Sequence, residues 1–132
     1  MIENKDIPKE YVSIRQIWLH NINKCCDAIG SRAKPDASHE AEWQEVGNRT
    51  VINSVRALYY SLVDYGEAKI KTDIDKWKIE VFKPQFKEGM SLRKSADLYQ
   101  IFFERIIQVL NKYGMLFDTK PEGYSNVEMK SI

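Results

Sequence analysis

The stretch SLRKSADLYQIFFERIIQVLNKYG, residues Ser91 to Gly114, carries apolar side chains at Leu92, Ala96, Tyr99, Phe103, Ile106, Leu110 and Tyr113. Steps of three and four residues place them along one side of an α-helix, whereas a strand would need alternation. Phe102, Ile107 and Val109 widen that stripe. Ser91 is suited to cap the first turn, and Gly114 followed by Met115 suits a left-handed stop in which Met115 contacts Leu110. The segment therefore predicts a long amphipathic helix with both ends marked.

The same period recurs upstream. Tyr11, Ile14, Trp18, Ile22, Cys25 and Ile29 share one face of a helix that Pro8 can open and Gly30 can end. Trp43, Gly47, Val51, Val55, Leu58, Leu62 and Tyr65 share a face of a second, with Ser38 as its cap, Glu40 and Glu42 in its first turn and Gly66 at its end. Gly47 on that apolar face predicts close approach of another helix, since glycine otherwise costs about 1 kcal/mol of helix propensity. Between Glu67 and Phe82, Ile70, Ile74, Trp77 and Val81 fit a helix, while Trp77, Ile79 and Val81 also fit a strand. Helix is the better reading, because a lone strand leaves its backbone groups unpaired. Thr72 and Asp75 resemble a capping box there. Lys83 to Met90, with Pro84 and Gly89, reads as a turn. The expected fold is all-α: an up-and-down four-helix bundle over 1–117, with 118–132 as a flexible tail.

Composition agrees with one globular domain. The 132 residues are 43% hydrophobic and 30% charged, which suits a packed core under a solvated surface. Twenty basic against 19 acidic residues leave a net charge of +1, so overall charge does not mark a polyanion-coating protein. Cys25 and Cys26 are adjacent, a poor geometry for a disulfide with each other, and are expected as buried thiols. No apolar run has the length of a membrane span, and the first residues lack the pattern of a signal peptide. The expected location is the cytoplasm.

No constellation for metal, nucleotide-loop or serine-nucleophile chemistry stands out. His20 and Cys25 are five apart, about 140° around a helix, and cannot share one ion. The six glycines are scattered and form no phosphate-cradling loop. No cofactor, metal site or catalytic residue is expected. Asn48-Arg49-Thr50 matches a glycosylation sequon, without a secretory signal to give it meaning.

Two spacings resemble a ribonuclease signature. Arg15 and His20, and Arg32 and His39, match the Arg-x(4–6)-His pattern of HEPN ribonucleases, which are small helical bundles. The resemblance implies histidine proton transfer beside an arginine that stabilises phosphorane charge. It lies in the first helix and the following loop, not late in the bundle as in that family, and Ala33 stands where one copy needs a polar residue. A surface arginine with an ordinary histidine explains the spacing more simply.

Charge distribution and aromatic content are more informative. Lys69, Lys71, Lys76, Lys78, Lys83, Lys87, Arg93 and Lys94 outnumber the acids between them, and Trp77 and Phe86 interleave with them. That combination could bind nucleic acid, cations on phosphates and rings on bases. An ordinary solvated face of mixed charge explains the charges more simply. Asp36, Glu40, Glu42 and Glu45 form an acidic stretch elsewhere. The adjacent pairs Tyr59-Tyr60 and Phe102-Phe103 spread over two directions of their helices, as a wide core or an interface would need. The leading expectation is thus a non-enzymatic interaction or assembly module, self-associating or docking on a protein partner. Nucleic-acid binding through the basic region is the alternative, and ribonuclease activity the third.

Overall fold

The computed structural model describes the backbone of residues 9–33 and 40–115, and the side chains of residues 14, 16–32 and 42–115. Four α-helices form a bundle: α1 Lys9–Ala33, α2 Glu40–Tyr65, α3 Ala68–Trp77 and α4 Leu92–Lys112. A π-helical turn, Lys78–Phe82, and a 3-10 turn, Lys83–Gln85, continue α3 without a break. No strand occurs among the described residues. The helix reading of residues 67–82 therefore holds, with one change of period inside it. No described helix is long and apolar enough to cross a membrane.

Cross-helix partners give the topology. Along α4, Asp97 and Gln100 pair with Arg32 near the end of α1, Phe102 packs on Trp77 at the end of α3, and Arg105 and Lys112 reach Asp73 four residues before it. So α3 and α4 run antiparallel. Asn48 early in α2 shares Arg32 with the start of α4, and Tyr59 further along meets Phe102, so α2 and α4 run parallel. The order is up-and-down, with α2 between α1 and α4.

The core is what the helical period marks. Trp18, Ile22, Cys25, Cys26 and Ile29 of α1 are buried against Val51, Val55, Leu58 and Leu62 of α2, with Ile70, Ile74, Phe82 and eight residues of α4 completing it. Both cysteines are free and buried. Burial first, and the neighbouring Cys26 second, pushes the Cys25 thiol well above its ordinary value, so it sits in the core as a neutral apolar group. Two expected core positions are corrected: Trp43 and Tyr65 are each 48% exposed. They stand near the two ends of α2, where the apolar seam runs out.

Helix ends divide between those the sequence marks and those packing decides. Ser91 Oγ accepts the Lys94 N–H at 3.1 Å, and Gly114 at φ +86° lets the Met115 N–H reach the Leu110 carbonyl at 3.0 Å. Gly66 does follow the last residue of α2. Gly30 does not stop α1, which passes through it to Ala33, and Gly30 is buried in helical conformation. The gain is Arg32, two residues on, whose guanidinium grips α2 and α4 and outweighs the propensity cost of about 1 kcal/mol. Thr72 and Asp75 do not cap α3, which starts four residues earlier at Ala68 behind Glu67. The Ser38 cap, the Pro8 start and the tail 118–132 lie outside the described residues.

Gly47 behaves as its place on the apolar face predicts. A Cβ there would stand 3.2 Å from the Arg32 Cα and 3.3 Å from its Cβ and Cγ. The obstacle is backbone as well as side chain, so it cannot swing aside. Gly47→Leu is expected to destabilise the fold by about 1–3 kcal/mol, measured by urea unfolding. Unchanged stability would mean that α1 and α2 separate there at little cost.

Candidate ligand pocket

The best-defined concavity, about 290 Å³, lies where α2, the π turn and α4 converge. Phe82, Phe102 and Tyr99 line its inner side, with Tyr59, Tyr60 and Phe86 beside them. Arg56, Lys78 and Lys83 complete the lining, and among the described residues no carboxylate belongs to it. Among the described residues, none of the three cations forms an ion pair with a carboxylate.

Each wall has a local cause. Arg56, Tyr59 and Tyr60 are three and four apart on α2, hence on one face. On the other wall the cause is the π turn. Residues five apart diverge by about 140° on an α-helix, but an i→i+5 hydrogen bond stacks them, here from the Lys83 N–H to the Lys78 carbonyl. Trp77 and Phe82 are five apart, and both rings stack on Phe102, at centroid distances of 5.8 and 4.6 Å. Lys78 and Lys83 are also five apart, and both reach the rim. One irregular turn thus aims two rings inward and two cations at the opening.

The polar groups of the walls are held in position. Tyr59 Oη donates to Asp75 Oδ1 at 2.7 Å, and the Lys78 ammonium lies 4.2 Å above the Tyr59 ring. Burial, reinforced by the Asp75 hydrogen bond, pushes the Tyr59 hydroxyl above its ordinary range, so it stays a donor. The Tyr99 hydroxyl is also raised, mainly by burial, with Arg56 opposing. Arg56 is raised, chiefly by the neighbouring Tyr60 hydroxyl. The lining therefore offers hydrogen-bond donors and ring surface. Its complement is a flat group carrying negative charge.

The residues of the expected basic region divide among several hollows. Lys78 and Lys83 stand at this pocket, while Lys87 and Lys94 line a more open hollow with Glu88 and Ser91. Lys69 and Lys76 border a third hollow, with Asp73 and Lys112. Lys69 also lies 3.6 Å from Glu67, Arg93 lies 3.7 Å from Asp97, and Lys71 is exposed on α3. Trp77 is half-buried in the ring stack. Phe102 and Phe103, expected as interface residues, are each 1% exposed within the bundle, because α4 has α2 on one side and α3 with its π turn on the other. Of the four, Tyr59 is half-buried and Tyr60 is 52% exposed. Arg56 escaped the sequence reading, although it is spaced to share a face with Tyr59 and Tyr60, and Tyr99 was read only as part of the apolar stripe of α4.

The ribonuclease spacing meets a different use of its arginine. Arg32 has a side chain 10% exposed, bonds Asp97 at 2.9 Å and Asn48 at 3.4 Å, and also donates to Gln100. His20 is exposed on α1, whereas His39 and the Arg15 side chain lie outside the described residues. No group of three or more His, Cys, Asp or Glu with metal-binding geometry occurs among the described residues. No family model, curated protein or solved structure matches this chain.

Asp73 ties α3 to α4 below the pocket. It accepts from Lys112 at 2.8 Å and from Arg105 and Tyr113 at 3.2 Å each. The Lys112 hydrogen bond, with help from Tyr113 and Arg105, holds its carboxyl below the usual aspartate value. A lowered folded pKa means stability that is complete above the unfolded value of about 3.9 and is lost as pH falls through the folded one. Asp73→Asn is expected to cost about 1 kcal/mol at neutral pH. In paired urea titrations, the gap to wild type should narrow below about pH 4. A gap independent of pH would show that the charge is not what binds these helices.

Proposed function

We propose that this chain is a non-enzymatic helical binding module that engages single-stranded nucleic acid at the α2–π turn–α4 face. One observation carries the reading: three cations without carboxylate partners surround a concavity walled by aromatic rings. Single strands are bound in this manner when cations follow the phosphates and rings receive unstacked bases. A duplex fits less well, since a pocket of about 290 Å³ admits a ring system only after it leaves the stack. Compared with the basic region taken whole, the supported surface is smaller and includes Arg56 of α2.

Fluorescence anisotropy with a short labelled single strand tests this directly. Binding should weaken with salt, and each phosphate contact contributes about 0.7 to the logarithmic slope. Arg56→Ala and Lys83→Ala, both at exposed positions, should each lower affinity and reduce the slope by about that amount. Absence of binding at low salt removes the reading.

A second reading, self-association, is favoured by apolar surface elsewhere. Trp43 and Val46, 48% and 54% exposed, line a groove between α1 and α2 that also contains Ala28 and Gly47. A second copy of the bundle is the expected occupant, because exposed rings next to small residues allow helices to approach closely. Sedimentation velocity should then find a dimer that Trp43→Glu dissociates. A wild-type monomer at high concentration would end this reading.

A further inference from the structure

Beyond a general affinity for strands, we infer that the pocket between α2, the π turn and α4 is a single-nucleotide site, taking one base among its rings and one phosphate at Arg56 and Lys83. The inference rests on the preceding reading for its ligand chemistry, and adds the unit that is captured.

Size limits the occupant first. At about 290 Å³, the cavity stands at the small end of ligand pockets, which run from about 300 to 1,000 Å³. That is room for one ring system with its substituent, and not for two stacked nucleotides. Shape comes next. Phe82 and Phe102 stack with centroids 4.6 Å apart at 30°, and Tyr99 meets Phe82 edge-on at 4.9 Å and 78°. These rings pack on each other behind the cavity, while Tyr60, 52% exposed, stands on its α2 side. A flat ligand entering there gains aromatic contact without displacing the core.

Charge fixes the rest. Arg56 and Tyr60 are four residues apart on α2, which places both on the same side of the opening. Lys78 is held over the Tyr59 ring, while Lys83, five residues on, projects from the same side of the π turn. An acceptor-rich group between Arg56 and Lys83 would meet cations from both walls, with no lining carboxylate to repel it. Phosphate has that chemistry. The other hollows mix signs, Lys87 and Lys94 with Glu88, and Lys69, Lys76 and Lys112 with Asp73.

The same unit can come from a free nucleotide or from an unpaired position in a strand, and calorimetry on the full chain separates them. The probes are AMP, UMP, adenosine, inorganic phosphate and a short oligouridylate. A nucleoside monophosphate should bind one to one, with adenosine and phosphate each weaker by about tenfold or more. Arg56→Glu with Lys83→Glu should weaken the monophosphate by at least about tenfold. Both positions are exposed, so the helical spectrum and melting temperature should stay as in wild type. Tyr60→Ala should weaken AMP and leave the binding of inorganic phosphate alone unchanged.

If neither monophosphate saturates, or if the charge-reversed protein binds them as wild type does, the single-nucleotide site is overturned. Oligouridylate binding without monophosphate binding overturns it too, while leaving the strand-binding reading standing. Monophosphate binding without oligouridylate binding supports the site and removes the strand reading.

Discussion

Phe102 is where the architecture converges. Its ring, 1% exposed, touches Tyr59 from α2 at 5.6 Å, Trp77 from α3 at 5.8 Å and Phe82 from the π turn at 4.6 Å. The dependence is heaviest for α3. Ten residues are too few for a helix to stand alone in water, and no side chain caps its first turn. Its place is set at its C-terminal end by the rings around Phe102 and midway along it by Asp73, which Arg105 and Lys112 of α4 reach. Truncating a buried ring of this kind removes about 3–5 kcal/mol from a folded state worth about 5–15. A small bundle can lose few such contacts.

Polar clamps perform a separate task. Apolar contact is non-directional, whereas a hydrogen bond requires a particular distance and angle. Arg32 reaches Asn48 on α2 and Asp97 on α4, so a single side chain sets the register of three helices. It can do so only because Gly47 leaves room for the α1 backbone. With its side chain 10% exposed, an Arg32 stripped of its partners would be a desolvated charge, which is far more costly than the pairs are stabilising. The clamp therefore excludes alternative packings more than it stabilises the native one.

Local chemistry was readable in the sequence, and choices made by neighbours were not. Ser91, Gly114 and the glycine at 47 act through a hydrogen bond, a left-handed turn and a missing Cβ, all properties of the residue itself. Gly30 has equal intrinsic reason to end a helix, yet Arg32 beyond it finds partners on two other helices, and packing prevails. Phe102 and Phe103 announced a wide apolar arc, but not whether the second neighbour was the same chain. For the pocket, Lys78 and Lys83 were visible as basic residues. Their alignment was not, because α-helical spacing sends residues five apart in different directions.

That alignment links the fold to the proposed site. A regular α-helix from Ala68 onward would let only one of Trp77 and Phe82 face Phe102, and only one of Lys78 and Lys83 face the opening. The π turn brings each pair together, at the expense of the more favourable hydrogen bonding of the α form. Ring contacts with Phe102 account for the inward pair, since they replace what the backbone gives up. They do not account for the outward pair. Two cations brought to one rim repel each other, and among the described residues no carboxylate is set between them. Core packing alone would be served as well by any polar residue at 83, and the anionic ligand proposed above is what would use the charge there.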